Sequence, residues 1–285
     1  MRNYFGKREA APTTATLIRT ARGNRLRFAQ GKVVRISENV YLVGSGEMRL
    51  SNELDSHVYL LGDPKEGAIM IDAGSGVDSD QILSNSLNDG FDPHDIKQLF
   101  LTHSHPDHAS GASDIRSKTS CEVIASIQET PYVEGQPSGD FDKVRTRKKS
   151  LFYPEDFKRK YCKVDRSVDD KHVFRFAGWT ITSVVLPGHS YGVLCLLVDF
   201  DKRRAFFSSD AVFLGGSIGL GNWPGCSLRT YRESIGKVAG LGVDQMFPGH
   251  YLWTLKDGQK HLDKAVDNLS YEWIPPMGGH NHPIY

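Results

Sequence analysis

The chain has 285 residues, of which 39% are hydrophobic and 24% charged, and its formal net charge is +1. This composition is typical of a globular protein with a substantial core, and it argues against disordered, fibrous and membrane-embedded classes. The near-zero net charge gives no general attraction to nucleic acid or anionic lipid, and no apolar run reaches the roughly 18 residues of a membrane span.

Residues 1–32 form a basic arm, in which eight Lys and Arg side chains accompany a single acid, Glu9. We expect this arm to be solvated or to pack on a partner subunit, which would make the protein a homo-oligomer. A basic, acid-poor start also fits an organelle transit peptide.

The chain has four widely spaced cysteines, with no C-x-x-C pair among them. They are Cys121, Cys162, Cys195 and Cys226. This spacing indicates free thiols in a reducing compartment and argues against a disulfide framework or a thiolate zinc site. We therefore expect a cytoplasmic protein.

Short apolar runs predict the strands of the first half of the chain. These runs are 32–36, 40–43, 57–62, 68–72, 96–101 and 122–125. Ile82, Leu83 and Leu87 recur at helical spacing and predict a helix over 78–88. A second helix is expected to start near Asp107, directly after a cluster of histidines.

The stretch 128–175 has a different character, because it contains three prolines, several aromatic residues and the basic run 143–149. We interpret it as an insertion of short helices and loops that lies over the protein outside the core. The basic run is expected to be a solvated face.

Strand patterns resume from Val173, with runs at 179–185, 193–200, 205–207 and 246–250, and helices are predicted over 230–241 and 258–268. Each half of the chain therefore contains strands followed by a helix. Two layers of sheet with helices outside them, an α/β sandwich, satisfy this order. We expect one domain over 33–270 and a C-terminal tail over 271–285.

The strongest chemical signal is the run His103-Ser-His105-Pro-Asp107-His108 at the end of an apolar strand. Residues two apart in extended chain point to the same side, so His103 and His105 can bind one ion together. Pro106 then stiffens the turn, and Asp107 and His108 face a neighbouring position. Imidazole and carboxylate ligands without thiolate suit Zn²⁺ and also permit Fe or Mn.

Four ligands are too few for two ions, and three further candidates each follow a strand-like run. They are His189, Asp210 and His250. Gly188 and Gly249 directly precede the two histidines and would allow close backbone approach. An aspartate can bridge two cations with its two oxygens, and Asp210 is the candidate placed to do so.

The order H-x-H-x-D-H, then His, Asp and His, resembles the metallo-β-lactamase superfamily. The segments LPGHSYG (186–192), FFSSDAVF (206–213) and FPGH (247–250) look like its glyoxalase II and lactonase branch. The resemblance extends over most of the chain, from about Val33 to His261. It implies a four-layered αβ/βα sandwich, with two metal ions at one edge of two facing sheets.

The resemblance also implies a role for each ligand. His103, His105 and His189 would hold the first metal, Asp107, His108 and His250 the second, and Asp210 would bridge them. Asp72, in the matching IDAG turn, would orient a ligand. A bridging aspartate is typical of the esterase-like members, whereas the β-lactamases usually differ there.

Two cations that share a water lower its pKa toward neutrality, and the resulting hydroxide can attack a carbonyl carbon. We expect a hydrolase with two Zn²⁺ ions, in which Asp107 also orients the nucleophile and passes a proton to the leaving group. No G-x-S-x-G elbow is present to supply a serine nucleophile.

The substrate is less well determined, because surrounding loops select it. Candidate pocket residues are His57, Phe213, Trp223 and Tyr251, and an apolar wall favours a small lactone, thioester, ester or amide, including a β-lactam. One alternative is a phosphodiesterase or nuclease, which the basic segments favour and the net charge disfavours. The other is a mononuclear iron persulfide dioxygenase, which shares much of the pattern.

Overall fold

The computed structural model describes residues 34–136, 153–154 and 156–278. Among these residues, a seven-stranded sheet holds β1 to β7 in chain order, and a five-stranded sheet has the order β12-β11-β10-β9-β8. The first sheet comprises β1 (Arg35–Ser37), β2 (Val40–Gly44), β3 (Val58–Asp63), β4 (Gly67–Ile71), β5 (Ile96–Phe100), β6 (Glu122–Ser126) and β7 (Arg166–Val168). The second comprises β8 (Val173–Phe176), β9 (Trp179–Leu186), β10 (Val193–Asp199), β11 (Arg204–Ser209) and β12 (Gln245–Pro248).

The described helices are α1 (Ser79–Asn88), α2 (Pro106–Ala109), α3 (Ala112–Thr119), α4 (Thr130–Val133), α5 (Leu228–Ser234) and α6 (Gly258–Ser270). Short 3-10 helices span Pro93–Asp95, Leu214–Gly216 and Ile235–Val238. The Asp78 carboxylate accepts a hydrogen bond from Gln81 N and so caps α1 at its first turn. Among the described residues, no helix combines the length and apolarity needed to cross a membrane.

Alternating side chains of β3 show how the layers stack. Tyr59 and Leu61 point into a core shared with the second sheet, whereas Val58 and Leu60 pack on the opposite face against α1 and α3. A third core lies between the outer face of the second sheet and helices α5 and α6. The four layers are therefore helix, sheet, sheet and helix, which confirms the predicted αβ/βα sandwich.

Strand direction determines where polar side chains collect. Strands β4 to β7 are mutually parallel, and β11 is parallel to β12. The carboxyl ends of β5, β11 and β12 meet at one edge of the sandwich, as in other sheets with parallel strands. The loops that follow these three strands therefore start at the same edge.

The stretch 128–175 is not only an insertion of helix and loop, and that expectation was wrong in part. Its described residues include β7 and β8, which extend the two sheets, and Val168 and Phe174 are buried in the core between the sheets. β7 has only three residues, so its alternation is too short to recognise in sequence, whereas β8 begins at Val173, where strands are expected to resume.

The helix predicted over 230–241 is also different in the structure. Helix α5 begins earlier, where Ser227 Oγ accepts from Thr230 N, and the chain changes to a 3-10 helix at Ile235. The start of the expected tail is ordered, since Ile218 N donates to Pro276 O and Gly278 N to Ile218 O. Three of the predicted segments lie outside the described residues. They are the basic arm 1–32, the basic run 143–149 and the end of the tail, 279–285.

The four cysteines are free thiols, as the sequence predicts, and Cys121, Cys162 and Cys195 are buried. Burial is the largest of the effects that raise the pKa of the Cys195 thiol well above its ordinary value. These thiols pack as small apolar groups.

Candidate metal centre

The seven side chains predicted as ligands converge at the shared edge of the two sheets. Four of them come from the loop after β5 and from α2, and the other three follow β9, β11 and β12. Six of them form two groups, within each of which the potential ligand atoms lie within 4.8 Å of one another. The first group is His103, His105 and His189, and the second group is Asp107, His108 and His250. The seventh, Asp210, lies within the same distance of His103 and His108.

The first group presents three ring nitrogens to one point. His103 Nε2 lies 2.9 Å from His105 Nδ1 and 3.2 Å from His189 Nε2, and the remaining edge of the triangle is 3.0 Å. Zinc–nitrogen bonds of 2.0–2.1 Å at tetrahedral angles would separate such atoms by about 3.3 Å. The triangle is therefore slightly contracted but has the size of a three-histidine cation site.

Asp210 lies between the two groups. Its Oδ2 is 3.5 Å from His189 Nε2 and 3.6 Å from His250 Nε2, and its Oδ1 is 3.5 Å from His108 Nε2. Asp107 Oδ2 is 3.1 Å from His250 Nε2 and 3.5 Å from His108 Nε2. The Asp210 carboxylate thus faces histidines of both groups, as a bridging ligand would, whereas Asp107 faces only the second group.

Two buried atoms support a cation at this position. His108 Nε2 and Asp210 Oδ1 are buried and have no hydrogen-bond partner. Buried polar atoms are normally paired, because an unpaired one loses its hydration without compensation. A divalent cation between these atoms would satisfy both, and imidazole with carboxylate is a donor set that suits zinc, iron or manganese.

Hydrogen bonds behind the histidines fix which ring nitrogen faces the centre. Asp72 Oδ2 accepts from His108 Nδ1 at 2.8 Å, and Gly219 O accepts from His189 Nδ1 at 2.7 Å. Glu47 Oε1 lies 3.2 Å from His250 Nδ1. Each bond turns Nε2 of its ring inward, which is the orientation that metal-ligating histidines adopt.

The electrostatics of the two groups differ. Burial is the largest of the effects that lower the pKa values of His103, His105 and His189, so these rings are neutral and available as ligands. Burial also disfavours charge on His108, but Asp107, Asp210 and Asp72 outweigh it and raise the pKa of His108 to about 10. The surrounding carboxylates, Asp210 among them, therefore favour positive charge on His108 and His250, and a cation bound at the second group would take the place of those protons.

Glycine at position 249 is required for this geometry. A Cβ there would collide with Asp210 Oδ1 and would lie 2.8 Å from His108 Cε1. Gly188 has φ +145, and a Cβ there would collide with the ring of Tyr231. Both glycines let strand-end backbone come close to the centre.

The four residues predicted to line a pocket have different positions. Trp223 lies beside the first group, with ring centroids 5.5 Å from His105 and 5.2 Å from His189, and its Nε1 donates to His189 O. Half-buried Tyr251 packs edge-on against buried Phe213 at 5.1 Å. Trp223 and Tyr251 therefore lie beside ligand histidines, Phe213 packs behind Tyr251, and the ring nitrogens of His57 are bonded away from the centre.

His57 is a buried structural residue. Its Nε2 donates to Tyr251 O at 2.7 Å, so Nδ1 accepts from Ser45 Oγ at 2.9 Å. Burial lowers the pKa of His57 to about 4, which keeps the ring neutral. With both nitrogens bonded, His57 holds the loop that carries His250.

Sequence reasoning missed several polar contacts to this centre. The Tyr153 hydroxyl donates to Asp107 Oδ1 at 2.5 Å, and Glu47 Oε2 accepts from Tyr251 N at 2.7 Å. Tyr153 is one of several aromatic residues in the stretch 128–175, and Glu47 follows β2 without any motif around it. Nothing local in sequence marks either residue, because both reach the centre through tertiary packing.

The chain is similar in sequence to known hydrolases. The sequence profile of the Metallo-beta-lactamase superfamily matches residues 51–250. A hydroxyacylglutathione hydrolase of Rhodopseudomonas palustris is 26% identical over 198 residues, which are 69% of this chain and 62% of that protein. The atrochrysone carboxyl ACP thioesterase dmxR1 of a Cryptosporiopsis species is 23% identical over 221 residues, 77% of this chain and 51% of that protein. The chain thus spans about half to three fifths of the length of these relatives.

Solved structures of subclass B3 metallo-beta-lactamases share the fold. BJP-1 of Bradyrhizobium japonicum superposes with a TM-score of 0.59 at 24% identity, over 78% of this chain and 79% of that one. MEM-A1, from a soil metagenome library, gives 0.62 at 19% identity, over 84% and 94%. At this level of identity the likeness concerns the fold alone, and activity must be argued from the centre itself.

Proposed function

The chain belongs to the Metallo-beta-lactamase superfamily. We propose that it is a hydrolase that uses two divalent cations, most simply Zn²⁺. In a small acyl substrate, water would add to the carbonyl carbon and the bond from that carbon to the leaving group would break. His103, His105 and His189 hold the first cation. Asp107, His108 and His250 hold the second, and Asp210 binds both. When bound, such a pair of cations activates water and polarises a carbonyl group.

Asp107 is the residue proposed to handle protons. Burial disfavours its charge, but His108 and His250 outweigh burial and hold the pKa of Asp107 far below its ordinary value, so the group is a carboxylate. Its Oδ1 already accepts from Tyr153, so one oxygen is fixed and the other faces the second group. From this position Asp107 orients the attacking water and receives the proton destined for the leaving group.

Aromatic side chains support an acyl substrate. Trp223 lies beside the first group and Tyr251 near the second, and aromatic walls favour apolar parts of a ligand. Two relatives carry the names hydroxyacylglutathione hydrolase and ACP thioesterase, which favours a thioester. We therefore place thioesters first, followed by lactones, simple esters and amides, including β-lactams.

The pair of unpartnered buried atoms, His108 Nε2 and Asp210 Oδ1, is the single observation on which the proposal depends. The test is elemental analysis of the purified chain, followed by a panel of acyl thioesters, lactones and a chromogenic β-lactam. We expect two metal ions per chain and hydrolysis of at least one thioester. His105→Ala should lower both metal content and rate.

Three results would contradict the proposal. Full metal content and full rate in His105→Ala would remove the first group from the mechanism. One iron per chain with consumption of O₂ in the presence of a persulfide would indicate a dioxygenase. Salt-sensitive cleavage of an RNA oligomer, with every ester left intact, would indicate a nuclease.

A further inference from the structure

Glu129 is a buried carboxylate that the proposed chemistry does not use. It lies between β6 and α4, and its side chain is 0% exposed. Its Oε2 accepts from Ser104 N at 2.9 Å, and its Oε1 accepts from Gly192 N at 2.8 Å. One side chain thus accepts from two backbone amides with its two oxygens, which keeps both amides in place.

The two amides belong to the two loops that carry the first group. Ser104 stands between His103 and His105 in the loop after β5 of the seven-stranded sheet. Gly192 comes three residues after His189, at the start of β10 in the five-stranded sheet. One side chain therefore connects both sources of the three ring nitrogens across the boundary between the sheets.

Neighbouring contacts make this connection rigid. Ser126 Oγ donates to Gly192 O at 2.7 Å, and Glu129 N donates to Ser126 O at 3.1 Å. Arg159 Nη2 donates to Ser104 O at 2.6 Å, so both ends of Ser104 are bonded. A Cβ on Gly192 would lie 2.7 Å from Gln128 Cβ, so the backbone approach requires glycine.

We propose that Glu129 is a positioning residue for the first group, an inference that rests on the proposed function. It fixes the distance between the pair His103 and His105 and their partner His189, without contacting metal or substrate. The nitrogen triangle has edges of 2.9 to 3.2 Å, and a shift of the two loops by a few tenths of an ångström would spoil it. Residues that orient ligands affect metal affinity by about 10- to 100-fold when removed.

A double-mutant cycle tests this role by separating the two groups. His250→Ala disables the second group and His105→Ala the first, and Glu129→Ala is introduced into each background. Zinc affinity is measured by competition with a chromophoric chelator. In the His250→Ala background we expect Glu129→Ala to lower zinc affinity about 10- to 100-fold. In the His105→Ala background the change should stay below about threefold.

Two matched variants control the experiment. Glu129→Gln keeps the side-chain volume and one acceptor oxygen. In the His250→Ala background we therefore expect it to lower zinc affinity less than Glu129→Ala does. Glu134 follows α4 and its Oε1 accepts from Val164 N at 3.0 Å, away from the centre. Glu134→Ala should leave zinc affinity unchanged in both backgrounds. If Glu129→Ala does not fold, Glu129→Gln is compared across the same two backgrounds.

The possible outcomes distinguish this inference from the proposed function. Equal losses in both backgrounds, or no loss in either, would overturn the positioning role while leaving a zinc centre in place. A wild-type chain without zinc affinity would overturn the proposed function first, and this inference with it.

Discussion

The metal centre requires a residue without a Cβ atom at position 249. We expect Gly249→Ala to lower metal affinity by at least about 10-fold, because the new methyl group would occupy space between Asp210 and His108. Gly236→Ala is the matched control, since a Cβ there meets nothing within 4 Å. Metal titration of both variants checks this, and equal affinities would show that the loop yields at little cost.

Asp72 is the second residue whose replacement is informative. It accepts from His108 Nδ1 and from both the amide and the hydroxyl of Thr102. In Asp72→Asn, an amide group would replace one acceptor, so His108 would lose the bond that fixes its tautomer. We expect metal affinity to fall about 10- to 100-fold. Unchanged affinity would mean that packing alone orients His108.

At the scale of single elements, the end of α1 contains an acid in an unfavourable place. Burial raises the pKa of Asp89 to about 6, and the residue caps the helix end where backbone carbonyls also disfavour negative charge. A folded-state pKa above the unfolded value means that ionised Asp89 destabilises the fold above pH 6. This penalty fades as the pH falls from 6 toward 3.8.

Asp89→Asn should therefore stabilise the protein at about pH 8 by roughly 1 kcal/mol, after allowance for the partial exposure of the side chain. The gain should be mostly lost by about pH 4.5. Thermal unfolding of both chains at the two pH values measures it, with Asp201→Asn in an exposed loop as the control. A gain of equal size at both pH values would contradict the electrostatic explanation.

Sequence periodicity predicted most elements because each long element has one or two buried faces. The run 40–43 and the helix 78–88 match β2 and α1 closely. The prediction failed for β7, because periodicity needs several residues on each face. The three residues of β7 contain too few alternations, and only pairing with β6 defines them as a strand.

At the scale of the whole molecule, Tyr59 joins the two sheets below the centre. Its ring packs edge-on against Phe207 and Phe247 of the opposite sheet, and its hydroxyl donates to Pro248 O at 2.6 Å. Tyr59→Phe should lower the free energy of unfolding by about 1 kcal/mol, the usual value of one hydrogen bond. Tyr59→Ala should lower it by about 3–5 kcal/mol, because it also leaves a cavity. Urea unfolding measures both, and a loss below about 1 kcal/mol in Tyr59→Ala would contradict a shared core.

Ligand types and their order along the chain are local properties, so the amino-acid sequence alone identified the donor groups that could hold a metal ion. His103, His105, Asp107 and His108 lie within six residues, and the glycines before His189 and His250 mark close approach. The sequence also suggested Asp210 as the bridge. The distances from Asp210 to both groups, the support of a loop by His57 and the connection of two sheets by Glu129 became visible only in the fold. These contacts join residues far apart in sequence, and no local pattern records a distance that chain folding alone creates.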